Sequence, residues 1–210
     1  GRWKYPFANI EAEKSMKNID PKAFVPAPRK MLAVLAAAGL LAIAGPAAAA
    51  GAVVISQVYG GGGNSGATLK NDFIELFNRS NSAVSLNGWS VQYGSSGGST
   101  WAVTLLGNIT LQPGQYYLVQ EAQGAGGTTP LPTPDSVGTI GMSGTAGKVA
   151  LVADTVALTG ACPTGVVDLV GFGAANCAET SPAPTLSNTT AALRIAPCAD
   201  TDNNNADFQT

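Results

Sequence analysis

Residues 71–93 read NDFIELFNRSNSAVSLNGWSVQY: two short runs of aromatic, β-branched and apolar residues around a segment of Arg, Ser and Asn. In 72–78, Phe73, Glu75 and Phe77 alternate with Ile74, Leu76 and Asn78, the period of two that sends successive side chains to opposite faces of a strand. Asn87-Gly88 is turn chemistry, and 89–93 behind it reads as a second strand. Outward from this pair the same pattern recurs at 53–59, 101–106, 116–120, 148–153, 166–171 and 191–195, with no sustained helical period after residue 51. Eight short strands parted by Gly, Asn, Ser and Pro predict an all-β domain with two sheets packed as a sandwich, and about 150 residues suffice to bury a core. Gln112-Pro113-Gly114-Gln115 predicts a type II turn, and QGAGGTTPLPTP (123–134) a surface loop, either a mobile edge or a binding loop.

Composition narrows the chemistry. The 210 residues contain no His, which removes Ser-His-Asp and Cys-His nucleophiles, His-ligated zinc and the His general base. Residues 1–50 carry seven Lys/Arg and three Asp/Glu, whereas 51–210 carry four and ten, a net of −6. A domain that acidic has no general attraction for nucleic-acid phosphates or anionic lipid.

Upstream, Met16 opens a basic stretch (Lys17, Lys22, Arg29, Lys30), followed by an uncharged run from Met31, then Gly45-Pro46 and a run of Ala ending at Ala50. This is the layout of a secretory signal over 16–50, expected to form a helix and to be cleaved after Ala50 at an A-x-A site. A permanent membrane anchor is the competing reading. Residues 1–15 precede any Met and are taken as an upstream extension without assigned function. Export predicts a secreted, periplasmic or cell-surface protein with no stable membrane span after cleavage.

Three cysteines, Cys162, Cys177 and Cys198, agree with an oxidising compartment. A Cys162–Cys177 bridge would close a loop of about 15 residues and leave Cys198 over, although spacing alone does not fix the pairing.

Other motifs divide between scaffold and site. Gly61 to Gly66 satisfies G-x-G-x-x-G but leads into a strand where a dinucleotide site needs a helix. Gly94 to Gly98 spells G-x-S-x-G at a hairpin tip with no His to activate the serine. Glu75 shares a strand face with Phe73 and Phe77, so its carboxyl should be raised unless paired, with Arg79, Arg194 or a loop backbone as expected partners. Asp200, Asp202, Asn204 and Asp207 alternate oxygen ligands along the C-terminal segment in the manner of a calcium loop, without the Gly and Glu of an EF-hand. Calcium is thus the candidate metal, against an Asx-rich linker with local turns; no catalytic or organic cofactor-binding residue is assigned.

AVVISQVYGGGGN, NDFIELFNRSNSAVSLNGWSVQY and LQPGQYYLVQ, in that order, resemble a lamin tail domain. The resemblance covers about 51–208, leaves 209–210 as the start of a linker, and implies an immunoglobulin-like β-sandwich with Phe77 and Trp89 in its core. VVDLVGFGAANCAET, SNTTAALRI and CADTDNNNADF resemble the bacterial secreted version, which precedes an extracellular nuclease of the endonuclease/exonuclease/phosphatase type. That implies an accessory module, itself not catalytic, whose partner is a downstream divalent-metal-dependent nuclease domain of the same polypeptide. The alternative is a stand-alone exported surface or adhesion module that binds protein or glycan; extracellular DNA is a further expected partner.

Overall fold

The alternation in 72–78 becomes β2 (Asn71–Asn78), which lies between β1 (Val53–Tyr59) and β7 (Tyr116–Gln123) in an antiparallel arrangement. The computed structural model describes residues 51–196 and 199–210; the upstream extension, the expected signal segment and Cys198 lie outside them. The first sheet has six strands in the order β12-β11-β1-β2-β7-β8, with β8 (Ser136–Val137) parallel to β7, and β11 (Ala192–Arg194) and β12 (Phe208–Gln209) at the other edge. The second sheet runs β10-β9-β4-β5 and is antiparallel throughout: Asp168–Phe172, Gly147–Val152, Ser90–Ser95 and Ala102–Leu105. A two-residue ribbon joins β3 (Val84–Ser85) to β6 (Thr110–Leu111), and α1 (Asn204–Asp207) is one short turn of helix capped by Asn203. All eight expected strands are present within one to three residues at their ends. The described domain is the expected all-β immunoglobulin-like sandwich, and among the described residues no helix is long and apolar enough to cross a membrane.

The core lies between the sheets. Val53, Ile55, Val58, Ile74, Leu76, Tyr117 and Val119 of the first meet Val91, Val149, Leu151, Val170 and Phe172 of the second, and Leu86, Leu111 and Phe208 join the same cluster. Strict alternation along VVISQVY would have put Gln57 inward and Val58 outward. A bulge between Ile55 and Gln57 shifts the parity instead: Val58 stays in the core, and Gln57 faces Glu75 across the ladder. Turn chemistry acts as expected at Gly114, whose φ of 70° fits the third position of a type II turn closed by Gln115 N–H to the Gln112 carbonyl at 3.1 Å.

Two core expectations need amendment. Trp89 is only partly buried, because it ends the turn before β4 and packs against the core from its margin. Phe77 is buried but stands on the opposite face of β2 from Ile74 and Leu76, its ring tilted at 41° against that of Tyr116 with centroids 4.6 Å apart. The 123–134 loop is pinned: Gly124 N–H donates to the Lys70 carbonyl, Thr128 and Thr129 N–H to that of Thr68, and Leu131 is buried. Gln209 pairs with Leu193, so the last strand reaches one residue past the expected domain end at 208.

Candidate functional site

Most buried carboxylates of this fold hold backbone. Asp72 accepts N–H bonds from Gly62 (2.8 Å) and Met142 (2.7 Å) and Glu121 from Ile140 (2.9 Å), and the exposed Asp135 likewise accepts from Leu118 (2.8 Å), each fastening a loop or strand. Burial pushes Asp72 up to about 6. Glu75 finds neither arginine. Its Oε1 accepts from the hydroxyl of Ser56, the residue freed by the β1 bulge (2.7 Å), and from Gln57 Nε2 (3.2 Å), while burial outweighs both bonds and raises its carboxyl to about 7.

Lys148 is equally structural. Fully buried, it donates to the carbonyls of Gly98 and Ala161 and to Asn176 Oδ1 at 2.7–2.8 Å, and lies over the Trp101 ring. It ties the β4–β5 hairpin tip to the loop bridged by the Cys162–Cys177 disulfide. The G-x-S-x-G run ends β4 with Gly94 and Ser95 and forms that hairpin tip over 96–98.

One polar centre differs in composition. Where the first sheet's β1 runs past the end of β11, Ile55 lacks a ladder partner on that side, because β11 pairs only with Gln57 and Val58. Two side chains replace the strand: Ile55 N–H donates to Asp168 Oδ2 (2.6 Å), and Arg194 Nε donates to the Ile55 carbonyl (2.9 Å). Arg194 and Asp168 then close on each other at 3.0 Å, both side chains fully buried, which joins β11 of one sheet to β10 of the other. Arg194 Nη1 also donates to the Ala199 carbonyl, and its guanidinium lies over Phe208 at 4.6 Å. The C-terminal segment is thereby clamped across the open edge of the sandwich.

Around this clasp gather Asp200, Asp207 and Glu179. Asp200 faces Arg79 at 3.3 Å and Arg194 at 3.5 Å, and Asp207 faces Arg194 at 3.5 Å. Carboxylate oxygens of Asp168, Glu179 and Asp200 lie within 4.8 Å of one another. Burial raises the Asp168 carboxyl against the opposing pull of Arg194, and burial with the Asp168 and Asp200 charges raises that of Glu179. Oδ1 of Asp168 is buried and has no hydrogen-bond partner. Thr180 and Asp202, the two described non-glycine residues with φ near +50°, meet beside the centre through the Thr180 hydroxyl and the Asp202 carbonyl at 2.8 Å.

Of the four expected calcium ligands, Asp200 and Asp207 converge on Arg194, whereas Asp202 is exposed. Asn204 is buried with its amide fully engaged. Oδ1 accepts from Gly171 and Glu179 N–H, and Nδ2 donates to the Leu169 carbonyl and Glu179 Oε2, covering the open side of edge strand β10. Asp207 holds the Thr201 N–H and hydroxyl, both at 2.8 Å. Sequence reading missed Asp168, Glu179 and Arg194 as a group. The available signal was a pair of opposite charges interrupting apolar strands, VVDLV and AALRI; Glu179, in a loop, gave none.

This arrangement holds a carboxylate-rich centre at the seam of an immunoglobulin-like sandwich, with no nucleophile and base aligned in it. A family model, the Lamin Tail Domain, matches residues 46–174. The chain belongs to the lamin tail domain family. Among curated proteins, none matches the chain. The matched span ends before β11, β12 and the C-terminal segment, which supply Arg194, Asp200 and Asp207 to the seam.

Proposed function

We propose that this chain is the non-catalytic lamin tail module of a secreted bacterial nuclease, an accessory that positions or stabilises a catalytic domain elsewhere in the same polypeptide. The observation that carries the reading is family membership joined to the later sequence blocks, VVDLVGFGAANCAET and CADTDNNNADF, which resemble the secreted, nuclease-associated form. The signal-like 16–50 segment and the Cys162–Cys177 disulfide both favour export to an oxidising compartment. The chain has no His, and most of its buried carboxylates hold backbone N–H groups, which suits a scaffold better than an acid–base site. The −6 charge of 51–210 leaves DNA contact to the catalytic domain.

Arg79 gives positioning a physical basis. It donates to the Gly51 carbonyl and pairs with Asp200, so the segments entering the domain and running toward its end are tied at one residue. The test is to read the coding DNA through the Thr210 codon. Continuation into an α/β-patterned frame with histidines and acidic metal ligands is the expected result. A stop codon there overturns the nuclease reading in favour of a stand-alone exported module that binds protein or glycan.

A further inference from the structure

We infer that Asp168, Glu179 and Asp200 form a calcium site at the seam of the sandwich, with Asn204 as the residue that positions Glu179. Their carboxylate oxygens lie within 4.8 Å of one another, the widest spacing two ligands of one calcium ion can have at a bond of about 2.4 Å.

The second observation is Asp168 itself. Its side chain is fully buried, Oδ2 carries both the Ile55 N–H and the Arg194 guanidinium, and Oδ1 has no donor. A buried carboxylate oxygen without a partner is costly, and a cation shared with Glu179 and Asp200 removes that cost. Asp200 has capacity to spare: its contacts to Arg79 and Arg194, at 3.3 and 3.5 Å, are longer than a strong charge-assisted bond of about 2.7–2.9 Å.

Charge balance points the same way. Among the described residues, the carboxyls of Asp168, Glu179, Asp200 and Asp207 gather round two arginines, Arg79 and Arg194, so an ion that displaces the protons favoured by burial meets two negative charges in excess. One divalent ion neutralises them. Glu179 is only partly buried, which leaves a route from solvent. Asn204 Nδ2 bonds Glu179 Oε2 at 2.9 Å, the kind of contact that orients a ligand from behind. The remaining coordination, up to about six to eight oxygens, falls to bidentate binding and water.

The experiment is calorimetric titration of the full chain with calcium chloride, repeated with magnesium chloride and accompanied by thermal unfolding. Wild type is expected to bind one calcium per chain, in the range of roughly 0.1–1 mM usual for extracellular modules, and to gain thermal stability. Glu179→Gln keeps an acceptor for Asn204 and leaves Arg194 untouched; it should weaken calcium binding by about tenfold or more while remaining folded. Asp202→Asn, at the exposed neighbouring carboxylate, should bind as wild type does. Absence of both heat and thermal shift in wild type overturns the proposal. So does wild-type-like binding by Glu179→Gln, or a loss in Asp202→Asn equal to that in Glu179→Gln, which would move the ion to the C-terminal Asx run. A midpoint that answers to pH through Glu179 and never to calcium would make the cluster a proton-sharing pair, which also overturns it.

Discussion

Arg194 ties the two sheets together through its buried pair with Asp168. Removing it by Arg194→Met would leave Asp168 buried with its charge uncompensated and the Ile55 carbonyl without its Nε donor, a loss expected to cost about 3–5 kcal/mol. Urea unfolding of the single variant, and of Arg194→Met combined with Asp168→Leu, measures it; the double variant should recover part of the loss. Glu75 makes a prediction in pH. Its carboxyl is raised from 4.5 to about 7, so between those values the folded protein holds a proton that the unfolded chain has released. Stability from this group is therefore full below pH 4.5, falls as pH rises toward 7, and is flat above, by roughly 3 kcal/mol at most. Glu75→Gln should flatten that part of the urea-midpoint profile between pH 4.5 and 8 and leave the variant the more stable at pH 8. An unchanged slope would place the titration elsewhere.

The elements show what the sequence could and could not disclose. Strands of five or more residues were legible because alternation and turn residues repeat along them: β1 and β2 emerge almost as read from VVISQVY and DFIELFN. The two-residue strands β3, β6 and β8 are too short to carry a period and are formed by their neighbours. The bulge at Ser56 was written only as two polar residues in an apolar strand, and its meaning depends on Glu75, 19 positions away. The centre was legible in fragments. Asp200 was visible in the Asx-rich run, but the partners that gather round it, Asp168 and Glu179, come from a strand and a loop that meet only after folding. Asn204 looked like a ligand because composition does not reveal that four backbone and side-chain groups already engage its amide. The cysteine bridge belongs to this scale too. It encloses β10, the strand bearing Asp168, in a loop with a sequence separation of 15. Replacing both cysteines with serine should lower stability by about 3 kcal/mol in the chain-entropy account, read as a lower urea midpoint for the variant than for the oxidised protein. A midpoint equal to that of the oxidised protein would mean the loop is held by Lys148 and Asn204 alone.

At the scale of the whole molecule, the sandwich is a lamin tail domain whose second edge is closed by a C-terminal segment, locked through one buried arginine and a group of acids. Residues 51–210 carry a formal charge of −6 and the chain has no histidine, which fits the accessory role proposed above, in which a separate domain cleaves DNA. Under the proposed function, these residues support chemistry performed by another domain. The most direct measurement is incubation of the purified chain with supercoiled plasmid in magnesium, manganese and calcium, followed by gel analysis of nicked and linear forms. The account predicts intact supercoiled DNA in every condition. Nicking that co-purifies with the folded chain and disappears in Glu179→Gln would contradict it and make the acidic seam a catalytic site.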